Sequence, residues 1–108
     1  MTNATTTAQT ELLKLDQIRA ILAAHRAQLT ARYHLSELGV FGSYVRGEQH
    51  MDSDVDILAA FELTPSLFTL VALEDDLREL LGLPIDLAVK SALRPQIGEH
   101  ILREVMPV

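Results

Sequence analysis

The sequence contains no cysteine and no two adjacent lysines or arginines, and its apolar runs, such as Ile57–Phe61, are short. Without cysteine the fold has no disulfide to lean on, a composition that agrees with a cytoplasmic enzyme. Lysines and arginines stand singly throughout, so the chain lacks the basic patch that unaided binding to a nucleic-acid backbone requires. The apolar runs fall far below the length of a membrane span, and no basic start leads into the apolar core of a signal segment. The expectation is a cytoplasmic protein with no membrane contact and no direct nucleic-acid contact.

What is present is the composition of a small globular unit. With 108 residues, 48% of them hydrophobic and 22% charged, the chain fits one domain with a real core and little room for a second substrate-binding lobe. Residues 1–10, MTNATTTAQT, are polar and Thr-rich and read as a flexible tail, leaving 11–108 as the domain. Fifteen acidic against nine basic residues give a net charge of −6. A chain of that sign can still bind nucleotide phosphates if divalent cations stand between the two sets of negative charge.

Hydrophobic spacing sets the order of elements. Leu12, Leu15, Ile18, Ile21, Leu22 and Leu29 recur at helical intervals and predict a helix from Glu11 to Tyr33. LSELGVF predicts a strand that ends at the tight turn Gly42-Ser43, and VDILAAF, from Val55, predicts the next. Thr64-Pro65-Ser66 signals a helix start, with the proline in its first turn, and Leu70, Leu73, Leu77, Leu80 and Leu81 share one face before Gly82. LPIDLAV predicts a third strand, and Arg94–Glu104 a short last helix or turn. The order is helix, strand, strand, helix, strand, helix.

The chemistry concentrates in FGSYVRGEQHMDSDVDI, from Phe41 to Ile57. Residues two apart on a strand face the same way, so Asp54 and Asp56 project together, with Cα atoms roughly 6.5–7 Å apart. Asp86, alone in the apolar strand, is the best third carboxylate, because pairing of that strand with VDILAAF would gather all three. Hard oxygen donors in an open set suit Mg²⁺, and two such ions support displacement at phosphorus. Gly42 would let the backbone approach a ligand, and Ser43 offers a hydroxyl and an amide to terminal phosphates. Arg46 is placed equally for a phosphate contact and for an ion pair with the acidic cluster.

Other patterns fit less well. DSDVD begins like a calcium loop, but Ile57 stands where glycine is needed and Leu63 where a bidentate glutamate belongs. No Gly-Lys-Ser/Thr follows Gly42, which excludes a P-loop. Asp52 reads as a turn residue, and Asp75 and Asp76 as a solvated helix face. The histidines His25, His34, His50 and His100 lack metal-type spacing, with His50 alone placed in the acidic loop.

Taken together, GSYVRG, the following SDVDI and the later PIDLAV resemble the minimal nucleotidyltransferases, a branch of the DNA polymerase β superfamily. Val45 departs from the alanine common there and leaves the polar set intact. The resemblance implies an α/β (α+β) fold, a small mixed sheet flanked by helices. It implies that Gly42, Ser43 and Arg46 bind the nucleotide while Asp54, Asp56 and Asp86 hold magnesium, two ions in the family, with Asp86 also helping to deprotonate the attacking hydroxyl. Family members this short resemble antitoxins that transfer AMP from ATP to a tyrosine of a HEPN-domain toxin. Two alternatives remain at this stage: an antitoxin acting by occlusion, and transfer to a small-molecule hydroxyl. The sequence leaves homo-oligomerisation open.

Overall fold

In a computed structural model, residues 13–108 are described. The Thr-rich segment and the start of the first predicted helix lie outside them. Helix α1 spans Leu15–Tyr33 and buries Ile18, Leu22, Leu29 and Tyr33, four positions from the apolar stripe and its end. His34 closes it in the left-handed conformation, its amide reaching the Thr30 carbonyl at 2.8 Å. Strand β1, Leu35–Phe41, leads into a four-residue helix α2, Ser43–Arg46, where the sequence predicts only a turn. Strand β2, Val55–Phe61, then runs antiparallel to β1, with Phe41 opposite Asp56.

Helix α3, Leu67–Leu81, is the crossover that brings strand β3, Ile85–Val89, in parallel beside β2. Ser66 caps it by accepting the Thr69 amide at 3.1 Å, so Pro65 sits before the cap and not in the first turn. Helix α4, Pro95–Glu104, starts with proline at a position whose amide needs no partner. It is followed by the two-residue strand β4, Met106–Pro107, which extends the sheet to the order β3-β2-β1-β4. The result is a four-stranded mixed sheet of the α+β class.

Alternation along the strands gives the sheet two distinct faces. Val55, Ile57 and Ala59 of β2 are buried on the first with Leu38 and Val40 of β1, under Ile18 and Leu22 of α1 and Leu73, Leu77 and Leu81 of α3. Asp56, Leu58 and Ala60 therefore point to the second face. Val105 packs there on the bare backbone of Gly39, where an added Cβ would stand 2.6 Å from its Cγ2. Asp76 departs from the solvated face expected for it: it is half-buried, bonded by the Tyr33 hydroxyl and paired with Arg32 at 2.9 Å, tying α3 to the end of α1. Asp75 stays exposed against Arg78. Among the described residues no helix is long and apolar enough to cross a membrane.

Candidate active site

The β1–α2 junction, the start of β2 and the start of β3 meet at one end of the sheet. Parallel register places Asp56 directly beside Asp86, and the amide of Val55 donates to the Pro84 carbonyl at 2.8 Å, pinning the two strand starts together. Asp54 is the residue before β2 and is exposed, as is Asp86, while Asp56 is half-buried between them. The turn that presents Asp54 is held from within: the His50 amide donates to the Ser53 hydroxyl at 2.9 Å, and the Ser53 amide to the His50 carbonyl at 2.9 Å. Asp52 lies exposed in that turn. Its amide approaches His50 Nδ1 at 3.3 Å.

None of the carboxylates of Asp54, Asp56 and Asp86 has a cationic partner within salt-bridge distance among the described residues. Burial, the neighbouring charge of Asp86, a hydrogen bond shared with it and the charge of Asp54 push the Asp56 carboxyl up to about 6. With no cation beside them, burial and like charge together favour the protonated form of Asp56. Among the described residues no group of three or more His, Cys, Asp or Glu side chains is already gathered closely enough to hold a metal ion by itself.

The glycine turn abuts this set. Gly42 has φ 82° and ψ −151°, a region essentially reserved for glycine, and a Cβ there would coincide with the Asp56 carboxylate, 2.8 Å from its Cγ. The close approach that glycine permits is thus to Asp56. The Gly42 amide is also occupied, donating to Glu104 Oε1 at 2.5 Å. Its carbonyl starts α2, accepting from Val45 at 3.0 Å and Arg46 at 3.2 Å. Ser43, half-buried, opens α2 beside the carboxylates.

Arg46 pairs with neither Asp54, Asp56 nor Asp86; it is bonded to Glu48 at 2.8 Å and to Glu104 at 2.7 Å. Glu104 is the residue that sequence reasoning missed, since it lies 58 positions from Arg46 and nothing local marks it. Tyr44 of α2 is buried with its hydroxyl unpaired, and burial, then the charge of Asp54, pushes its phenol up. The cavity between α1 and α3, lined by His25, Arg32, Asp76 and Leu80, contains none of the site residues.

With divalent cations chelated, Asp56→Asn is expected to melt a few degrees above the parent at pH 8, a gain of about 1 kcal/mol once solvent screening is allowed for. The sign follows from the raised folded value. Folded Asp56 keeps its proton to about pH 6 whereas an unfolded carboxyl loses it near 3.8, so the group's stabilisation is full below pH 3.8 and is lost as pH rises through 6. Thermal melts in chelator at pH 5 and pH 8 measure this. Equal melting of variant and parent at pH 8 would show that the carboxylates are not crowded.

Residues 22–105 match the family described as nucleotidyltransferase domain. The chain is 52% identical over 97 residues to the protein adenylyltransferase MntA of Thermococcus cleftensis, covering 90% of this chain and 98% of the relative. It superposes on a solved structure assigned as a minimal nucleotidyltransferase with TM-score 0.76 and 38% identity, covering 89% of this chain and 97% of the other. The fold is also that of the MNT antitoxin complexed with a tri-AMPylated HEPN toxin from Shewanella oneidensis, at TM-score 0.62 and 16% identity over 83% of this chain and 70% of the matched one.

Proposed function

The chain belongs to the nucleotidyltransferase domain family, and from that premise we propose that it is a protein adenylyltransferase that transfers AMP from ATP to a tyrosine of a HEPN-domain toxin, acting as its antitoxin. The observation that carries the reading is the register of β2 and β3. It sets Asp56 beside Asp86, with Asp54 two residues earlier, next to the Gly42-Ser43 turn. A protein acceptor is supported by the near end-to-end similarity to MntA. The cytoplasm, where ATP is available, is the matching compartment.

Asp54, Asp56 and Asp86 fit Mg²⁺ as hard, uncompensated oxygen donors, two ions following from the resemblance. Bound there, the metal supplies neutralisation of the triphosphate charge and polarisation at phosphorus. The remaining steps fall to the chain itself. The Ser43 hydroxyl and amide and the Arg46 guanidinium receive the terminal phosphates. Asp86, exposed at the start of β3, takes the proton of the attacking hydroxyl. The hydroxyl oxygen bonds to the α-phosphorus as the bond to the bridging oxygen breaks, pyrophosphate leaves with that electron pair, and the proton passes to solvent.

ATP labelled on the α-phosphate, incubated with the HEPN protein encoded beside this chain and Mg²⁺, is expected to leave label on the HEPN protein, with its intact mass raised by whole AMP units. Label found only in a low-mass product would assign a small-molecule acceptor. A toxin silenced without label would assign occlusion.

A further inference from the structure

We propose that Glu104, the last residue of α4, is a positioning residue for the nucleotide-holding turn, its carboxylate spanning the Gly42 amide and the Arg46 guanidinium and fixing both to receive the triphosphate. This rests on the nucleotidyl-transfer reading.

Both oxygens of Glu104 are engaged on the turn: Oε1 accepts from the Gly42 amide at 2.5 Å, and Oε2 from Arg46 Nη1 at 2.7 Å. The Glu104 side chain is 13% exposed against 64% for Glu48, so of the two carboxylates on the half-exposed Arg46 guanidinium it is Glu104 that the fold holds in place. His100, one helical turn back, stands 3.9 Å from the same oxygen. Burial pushes the Glu104 carboxyl up, but the bonds from Arg46 and the Gly42 amide outweigh it and hold it below the ordinary value, so it remains an anion at neutral pH.

The geometry suits orientation. Arg46 donates Nε to Glu48 and Nη1 to Glu104, and among the described residues its Nη2 has no protein partner. A guanidinium fixed along those two donors has a defined plane and keeps an outward edge for a phosphate oxygen, so less side-chain freedom is lost when nucleotide arrives. The bond to Gly42 holds the other end of the turn, where the backbone must keep a glycine-only conformation for Asp56 to fit beneath it. One carboxylate thus couples the C-terminal helix to the phosphate-facing turn.

The test compares the parent, Glu104→Gln, Glu104→Ala, Arg46→Ala and the double variant Glu104→Ala/Arg46→Ala. ATP binding at saturating Mg²⁺ is measured by calorimetry, and transfer kinetics with the HEPN partner in parallel. Glu104→Ala is expected to raise the ATP dissociation constant and KM about tenfold and Glu104→Gln about threefold, the amide oxygen still able to accept from Gly42. The acceptor KM should stay within twofold. Removing Glu104 from the Arg46→Ala background should cost no more than about threefold, because the two act as a unit. Unchanged or tighter ATP binding in both Glu104 variants would overturn the proposal, the latter outcome making Glu104 a competitor of the phosphates. Additive losses in the double variant, or an equal rise in the acceptor KM, would reduce Glu104 to a purely structural contact. Should Glu104→Ala fail to fold, Glu104→Gln decides alone by the same ATP and acceptor readouts. A parent protein that binds no Mg-ATP would defeat the nucleotidyl-transfer reading itself.

Discussion

Replacing Asp54 and Asp56 together by Asn is expected to remove AMP transfer by at least about a thousandfold while the chain stays folded. The substitutions keep side-chain size, and Asp54 precedes the strand while Asp56 sits on its second face, so no core volume changes. What disappears is two of the three charges that would hold the cation. The remaining Asp86 and the turn cannot concentrate Mg²⁺ against the triphosphate, so the charge at the transferring phosphorus goes unneutralised. Stability should not fall, because Asp56 is crowded by like charge in the parent. Co-expression with the HEPN partner gives two readings, the intact mass of the partner and the survival of cells. An AMP-bearing partner beside the double variant would show that the metal site has been misassigned. Full protection by the variant beside an unmodified partner would mean that binding alone neutralises the toxin.

The second large effect belongs to Gly42→Ala, which should destabilise the protein by about 2–4 kcal/mol and lower nucleotide use at least about a hundredfold. Two causes act together. The positive φ with extended ψ is one that a residue with a Cβ adopts only under strain, and that Cβ would fall on the Asp56 carboxylate. Relief requires either the turn or Asp56 to move. Movement of the turn breaks the Gly42–Glu104 bond and shifts Ser43; movement of Asp56 takes it away from Asp86. Gly47→Ala is the control, since it has a positive φ of 70° but nothing within 4 Å of the added atom. Its expected penalty is strain alone, about 1–2 kcal/mol, with nucleotide use retained. Equal melting and equal kinetics for the two alanine variants would mean that contact with Asp56 is irrelevant.

Most of the scaffold was legible because its signals are local. VDILAAF is an apolar strand bounded by polar turns, and β2 occupies all of it; the leucine spacing after Ser66 runs up to Gly82, and α3 ends there. The strand alternation from which Asp54 and Asp56 were expected to project together does not reach Asp54, which lies one residue before β2; it is the β2–β3 register that sets Asp56 beside Asp86. Asp86 stood out because a lone carboxylate in an apolar strand contradicts its surroundings. Other features depend on distant partners. The strand at Met106–Pro107 has two residues and a proline, so no periodicity announces it; it forms because β1 presents an edge. Asp76 looked solvated until α1 brought Tyr33 and Arg32 to it. Glu104 carries no mark in a helix of mixed composition, and only the folded C-terminus sets it on Gly42 and Arg46.

The parallel register of β2 and β3 bears on how this chain tolerates changes in length. Surface turns ordinarily accept an inserted or deleted residue, and Gly82–Pro84, between α3 and β3, looks like such a place. A strand slipped by one position, however, turns every side chain over, which would carry Asp86 from the open face toward the apolar one and bring Ile85 out beside Asp56. Single substitutions in that turn leave the phase intact, whereas a single-codon insertion puts the carboxylate on the wrong side of the sheet unless α3 absorbs the extra residue. The spacing between Gly82 and Asp86 therefore decides which face of the sheet carries the carboxylate, whatever residues fill it.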